Sequence, residues 1–261
     1  MIYIYGLNKN GLSVVKYFIN QKIRVIVWDD HANQRKIASK LYKNLIFCNP
    51  KRLDYSKVNI SYVTPGISLK DKKLIPLIKN KIKIFRDLEL YMSLLKKQKN
   101  ICITGTNGKS TTTKMIGDMI SLNKKKCFVG GNIGKPLLDF KNNYDLSNYH
   151  VIELSSFQLE SAPNFKSYIS ILLNISKDHL DRYGNIKTYA FAKAKIFNKN
   201  TKYNIISIDD NYSKKIYQSL KSHNKIAISL NKKLKKGIYY FDNKIFDNYF
   251  YKNKMIKINK I

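Results

Sequence analysis

Apolar residues in this chain fall into short unbroken runs, and between the runs they recur at every third or fourth position. The runs predict strands covered on both faces, and the spaced positions predict helices with one buried stripe. Ile2, Tyr3, Ile4 and Tyr5 form the first run and enter Gly6-Leu7-Asn8-Lys9-Asn10-Gly11, after which Leu12, Val15, Phe18 and Ile19 stand at helical spacing. A second strand over 23–28 ends in Asp29-Asp30, where a dinucleotide-type fold places an acid near a ribose. Asn8 occupies the place of the second glycine of that fingerprint, so a plain strand-turn-helix and a phosphate-approaching turn both stay open; Asn tolerates the positive φ the latter needs. Strands over 45–47 and 60–63 follow, the latter ending in Thr64-Pro65-Gly66-Ile67. A helix over 69–78, a strand over 82–85 and a helix opened by Arg86-Asp87-Leu88-Glu89-Leu90 complete a first α/β unit. The polar stretch 96–100 predicts the boundary, giving domains 1–95 and 96–261.

The second unit opens on Ile101-Cys102-Ile103, a buried-strand run, followed by Thr104-Gly105-Thr106-Asn107-Gly108-Lys109-Ser110-Thr111. Met115, Ile116, Met119 and Ile120 predict the buried stripe of a helix starting at Lys109. Further strands are predicted over 127–129, 149–153, 168–174 and 226–230, with one more from Tyr203. Helices are predicted over 186–197 and from Asp210 to about Leu220. Residues 237–261 alternate Tyr, Phe and Ile with Lys and Asn, which predicts two or three antiparallel strands at a sheet edge.

The chemistry concentrates where the second unit begins. Gly105 and Gly108 let the backbone turn tightly and approach a ligand. A helix starting at Lys109 points unpaired N–H groups and a positive dipole end at that turn. Lys109 adds a cation for outer phosphates, and the hydroxyl of Ser110 or Thr111 suits a magnesium ion. Ile103 stands where the usual phosphate-loop spelling has its first glycine, so the alternative is an ordinary strand-turn-helix junction. Glu153, at the end of a predicted strand, sits where a magnesium ligand or water-positioning group is wanted; elsewhere such a glutamate is simply solvated. His179, between Asp178 and Asp181, reads equally as a ligand and as a structural residue. By itself Lys193 is one lysine among many.

Composition adds limits. With 49 Lys and Arg against 17 Asp and Glu, the formal charge is +32, which suggests a polyanion partner. The lysines are spread through every segment without a basic stripe, so we read a compositional bias and no specific nucleic-acid function. No apolar run approaches a membrane span and the first residues lack a signal-peptide pattern, which predicts a cytoplasmic protein without a membrane partner. Cys48, Cys102 and Cys127 are widely spaced and predict reduced thiols.

Taken together, Gly105-Thr106-Asn107-Gly108-Lys109-Ser110-Thr111, Glu153-Leu154-Ser155-Ser156-Phe157-Gln158-Leu159 and Asp178-His179-Leu180-Asp181-Arg182-Tyr183 resemble the Mur ligase family, in its branch that adds D-glutamate. The family's own phosphate loop carries isoleucine at the position of Ile103. The resemblance implies a Rossmann-like UDP-binding domain followed by an ATP-binding central domain. It implies ATP on Gly105 to Thr111, with Lys109 on the phosphates, and two magnesium ions, one held by Ser110 and Glu153 and one by His179 with Lys193, which is carbamylated in the family. It further implies UDP-N-acetylmuramoyl-L-alanine against Gly6, Lys9, Asn10, Asp29, Thr64, Pro65, Gly66, Asn132 and His179, and D-glutamate as the incoming amine. Family members carry a third domain for that amino acid, so the expectation is an N-terminal part, inactive alone, with a separate chain as one source of the third domain. A nucleotide- or UDP-sugar-binding remnant and a sister ligase are the alternatives.

Overall fold

The computed structural model describes residues 1–95, 97–139, 148–162, 165–198, 200–251 and 254–257. Its first sheet is built from β1 (Ile2–Tyr5), β2 (Val25–Trp28), β3 (Ile46–Phe47), β4 (Ile60–Val63) and β5 (Lys83–Phe85), in the order β3-β2-β1-β4-β5. All of these pairings are parallel. The crossovers are α1 (Lys9–Asn20), α2 (Ala32–Leu41) and α3 (Ile75–Lys79), and α4 (Asp87–Leu94) leads to the second sheet. The chain leaves β1 in one direction and comes back on its other side as β4. Their carboxyl ends therefore form the switch point where such sheets bind ligands. Gly6 and Thr64 lie side by side there, with Thr64 N donating to Tyr5 O at 3.0 Å.

The second sheet comprises β6 (Lys99–Thr104), β7 (Cys127–Gly131), β8 (Tyr149–Glu153), β9 (Ile169–Leu172), β10 (Tyr203–Ser207), β11 (Lys225–Ser229), β12 (Ile238–Phe241), β13 (Lys244–Asp247) and β14 (Lys254–Lys257). Its order is β14-β13-β12-β11-β10-β9-β6-β8-β7. Helices α5 (Lys109–Leu122), α6 (Ser156–Glu160), α7 (Leu180–Tyr183), α8 (Ile186–Ala194) and α9 (Asn211–Ser219) connect the strands. The strands from β7 to β12 pair in parallel, whereas β12-β13-β14 is an antiparallel meander. The expected edge strands are present; the first of them also pairs in parallel with β11, and positions 258–261 lie outside the described residues.

One apolar core spans both sheets. Ile4, Val15, Leu88 and Tyr91 from the first unit cluster with Leu137, Ile152, Leu159 and Ile196 from the second. The sequence reading needs correction at two places, the buried face of α5 and the helix over 69–78. Half of the stripe predicted for α5 is turned: Met115 and Met119 are 59% and 62% exposed, whereas Ile116 and Ile120 pack on the sheet as expected, with Thr113 and Gly117 beside them facing inward. Gly117 lies so close to Val129 that an added Cβ would be 2.3 Å from it, so the helix rests on its small-residue face. Within the polar stretch 96–100, Lys99 and Asn100 belong to β6 and the buried Asn100 amide bonds Lys166 O and Tyr168 N. The helix expected over 69–78 is split into a 3-10 turn, Lys72–Leu74, capped by Asp71, and the short α3. Asn8 does not adopt positive φ; at φ −66° it is extended and caps α1, accepting from Asn10 N and Gly11 N.

Candidate nucleotide and metal site

Parallel pairing sets β8-β6-β9 side by side, so the segments following Glu153, Thr104 and Leu172 meet at one edge of the second sheet. The Thr104 hydroxyl, fully buried, donates to Leu154 O at 2.9 Å and fixes the start of the loop to β8. From there Thr106 N donates to Asn174 O at 2.9 Å, and Asn107 N donates to the Asn174 side chain at 2.9 Å. The loop is thus tied on both sides before the helix begins. Gly108 at φ +79° makes the left-handed step into α5, a conformation disfavoured for other residues. No side chain caps that helix, which leaves its first N–H groups for an anion.

Lys109 folds back over the loop and donates to Thr106 O at 2.7 Å. Ser110, one residue further, donates its hydroxyl to Glu153 Oε2 at 2.7 Å, and Asn132 at the end of β7 approaches Glu153 Oε1 at 3.5 Å. Glu153 is 1% exposed. Its strand lies so close to Gly131 that an added Cβ there would stand 2.2 Å from Glu153 O. Lys193 on α8 is equally buried, donates to Gly105 O at 2.7 Å and lies 4.6 Å over the Tyr189 ring. Burial, reinforced by the nearby charge of Lys109, pushes its amine down from 10.5 to about 7. His179 adopts positive φ at 50°, pairs with Asp178 at 3.5 Å and packs on Phe157 and Tyr189. His179 and Lys193 thus both pack on Tyr189.

Among the described residues no cluster of three His, Cys, Asp or Glu side chains forms a ready metal centre. Magnesium is held in many phosphate sites by only one or two protein oxygens, the rest being water and phosphate. The Ser110 hydroxyl on the Glu153 carboxylate fits that description. Lys193 as an ammonium is no ligand, but an amine that is about half neutral near pH 7 is a nucleophile for carbon dioxide.

At the first sheet's switch point, Asp29 is buried and its oxygens accept from Leu7 N at 2.6 Å and His31 N at 2.9 Å, holding the turn after β1. Gly11 sits against that turn, where an added Cβ would be 1.9 Å from Gly6 O. Lys9 reaches across to Gly134 O near Asn132, so the two units share this edge. Gly66 in the Thr64-Pro65-Gly66 turn is exposed, with nothing within 4 Å of an added Cβ. A cleft of about 340 Å³ is lined by residues including Tyr5, Asp30, Asn49 and Lys73. Two arginines that sequence reasoning did not single out, Arg86 and Arg182, fasten the Thr64-Pro65-Gly66 turn to the second unit. Only the placement of Arg86 ahead of an acidic helix start hinted at the first.

Comparison with known proteins shows the family. A family model described as the Mur ligase middle domain matches residues 103–259, and one described as the Mur ligase MurD-like N-terminal domain matches residues 1–86. The UDP-N-acetylmuramoylalanine--D-glutamate ligase of Rickettsia prowazekii is 39% identical over 253 residues, covering 94% of this chain and 55% of the relative. That of Wolbachia pipientis wMel is 36% identical over 229 residues, covering 87% and 44%. The chain therefore spans about half the length of the curated relatives it matches. Among solved structures, a UDP-N-acetylmuramate:L-alanyl-gamma-D-glutamyl-meso-diaminopimelate ligase from Neisseria meningitides superposes with a TM-score of 0.59 at 13% identity, over 95% of this chain and 84% of that one. A UDP-N-acetylmuramate-alanine ligase from Thermotoga maritima gives 0.52 at 17%, over 99% and 60%. At these identities the likeness is one of fold.

Proposed function

The chain belongs to the Mur ligase family, and from that premise we propose that it carries the ATP-binding and UDP-substrate-binding parts of a ligase joining D-glutamate to UDP-N-acetylmuramoyl-L-alanine. The observation that carries this reading is the Ser110–Glu153 contact at the open amino end of α5, with Lys109 alongside. A hydroxyl, a buried carboxylate, a mobile cation and unpaired N–H groups at one point are what an ATP phosphate tail requires.

In the proposed reaction the substrate's alanyl carboxylate attacks the γ-phosphorus of ATP, ADP leaves, and the resulting acyl phosphate is attacked by the amine of D-glutamate, releasing phosphate and a proton and leaving an amide. Lys109 leaves Thr106 O to follow the charge on the transferring phosphoryl group. Magnesium, when bound, neutralises that charge further. Ser110 and Glu153 are the residues that would hold one ion. Lys193, once its neutral amine has added to carbon dioxide and released a proton to solvent to give a carbamate, would hold a second together with His179. Asn132 and His179 orient the muramoyl end, while Gly6, Lys9, Asn10, Asp29, Thr64, Pro65 and Gly66 form the UDP side. We assign placement of D-glutamate to a region outside these 261 residues, on the same polypeptide or on a separate chain.

Calorimetric titration of the chain with UDP-N-acetylmuramoyl-L-alanine and with magnesium ATP tests the reading. Binding of both, with nucleotide binding lost in Lys109→Ala, is expected. Nucleotide binding that survives Lys109→Ala, or failure of the UDP compound to bind, would refute it.

A further inference from the structure

Five successive carbonyls of the Thr64-Pro65-Gly66 turn are held by two guanidinium groups. Arg86 Nη1 donates to Val63 O at 3.1 Å and to Thr64 O, and its Nη2 donates to Ile67 O at 2.8 Å. Arg182 Nη1 takes the two carbonyls between, Pro65 O at 3.0 Å and Gly66 O at 3.2 Å. A surface turn ordinarily leaves its carbonyls to water. Here the outward side of the turn is open over Gly66, and its inward side is occupied by two cations.

The other arms of the same guanidiniums reach α6 and its end. Arg86 Nε donates to the Ser161 hydroxyl at 3.1 Å, and Arg182 Nη2 pairs with Glu160 at 2.8 Å while its plane stacks 4.1 Å from Phe157. Helix α6 begins three residues after Glu153, and Arg182 lies on α7, which His179 opens. Arg86 is fully buried, and burial together with the charge of Arg182 pushes it down to about 10, so it remains a cation at neutral pH. Two neighbouring cations, one buried and one half-buried, are a poor device for stability alone. They are well suited to fixing geometry, because a planar fork with five donors serves several acceptors at set angles where a lysine serves them from one nitrogen.

We infer that Arg86 and Arg182 are positioning residues that link the Thr64–Gly66 turn on the UDP side to α6 and α7 on the nucleotide side, so that filling one side prepares the other. This rests on the proposed function. A ligand that orders the turn also orders the two short helices through the arginines, and the second ligand then finds its site already arranged. By linkage the effect is the same whichever ligand binds first.

The test is calorimetry with a non-hydrolysable ATP analogue plus magnesium and with UDP-N-acetylmuramoyl-L-alanine, each alone and in the presence of the other. In the wild-type chain each ligand is expected to raise the affinity of the other by about tenfold. In Arg182→Lys the enhancement should fall below about threefold while the analogue alone binds within about twofold of wild type. Arg86→Lys should behave alike, and if it fails to fold, Arg182→Lys decides the matter. Enhancement that survives Arg182→Lys, or two ligands that bind the wild type independently, would overturn the inference. Failure of the wild type to bind either ligand would overturn it by removing the proposed function beneath it.

Discussion

Replacing Lys193 by methionine should stabilise the unliganded protein at pH 7.5 and lose that advantage by pH 10. The folded amine is pushed down from 10.5 to about 7, chiefly by burial, while in the unfolded chain it keeps its ordinary value. As pH falls from 10.5 towards 7 the unfolded chain takes up a proton that the folded chain refuses, so stability is lost across that window and stays level below it. At 1.36 kcal/mol per pKa unit, the cost is about 4 kcal/mol at pH 7.5 and under about 1 kcal/mol at pH 10. Methionine fills comparable space without a charge but leaves Gly105 O unpaired, a loss of about 1–3 kcal/mol. The stability of the variant relative to wild type should therefore shift by about 3 kcal/mol between the two pH values, from gain to loss. Urea unfolding at both pH values, in buffer free of carbon dioxide and divalent metal, measures it. A difference that is independent of pH, or that favours methionine more as pH rises, would refute the reasoning.

Glu89 offers a second titration, since burial pushes its carboxyl up from 4.5 to about 7. The folded chain keeps that proton after the unfolded chain has released it, so stability falls as pH rises from 4.5 to 7. Glu89→Gln, which can still accept from Arg86 N, should gain on the order of 2–3 kcal/mol relative to wild type between pH 4.5 and 8, read from melting curves. Gly131→Ala forces a Cβ against Glu153 O at positive φ and should cost about 3 kcal/mol and weaken magnesium-dependent nucleotide binding, as unfolding and calorimetry would show. Gly66→Ala, with open space around it, should change stability by less than about 1 kcal/mol in the same unfolding assay.

The alternation of runs and spaced positions marked the strands of both sheets, because strands buried on two faces must be apolar throughout. The strand-turn-helix geometry at Thr104 to Lys109 and the strand-end placement of Glu153 were legible for a related reason, since an apolar run followed by glycines marks where a buried strand ends. Met115 and Met119 misled because the inward face of α5 runs through Thr113, Ile116, Gly117 and Ile120; Gly117 lets the helix sit close on Val129. Asn8 offered two conformations, and the capping bonds to Asn10 N and Gly11 N select the extended one. Lys193 could not be told from other lysines by sequence, because its burial depends on β6, α8 and the loop meeting in space. Arg86 and Arg182 were hidden for the same reason, the carbonyls Arg182 holds being 116 and 117 residues away.

The most direct measurement is a crystal structure of the chain with a non-hydrolysable ATP analogue and manganese in place of magnesium, using anomalous scattering to locate the metal. The phosphates are expected at the amino end of α5 with Lys109 turned from Thr106 O towards them, and a metal peak is expected between the Ser110 hydroxyl and Glu153. Phosphates bound elsewhere, or a metal that leaves the Ser110–Glu153 contact intact and uncoordinated, would contradict that expectation.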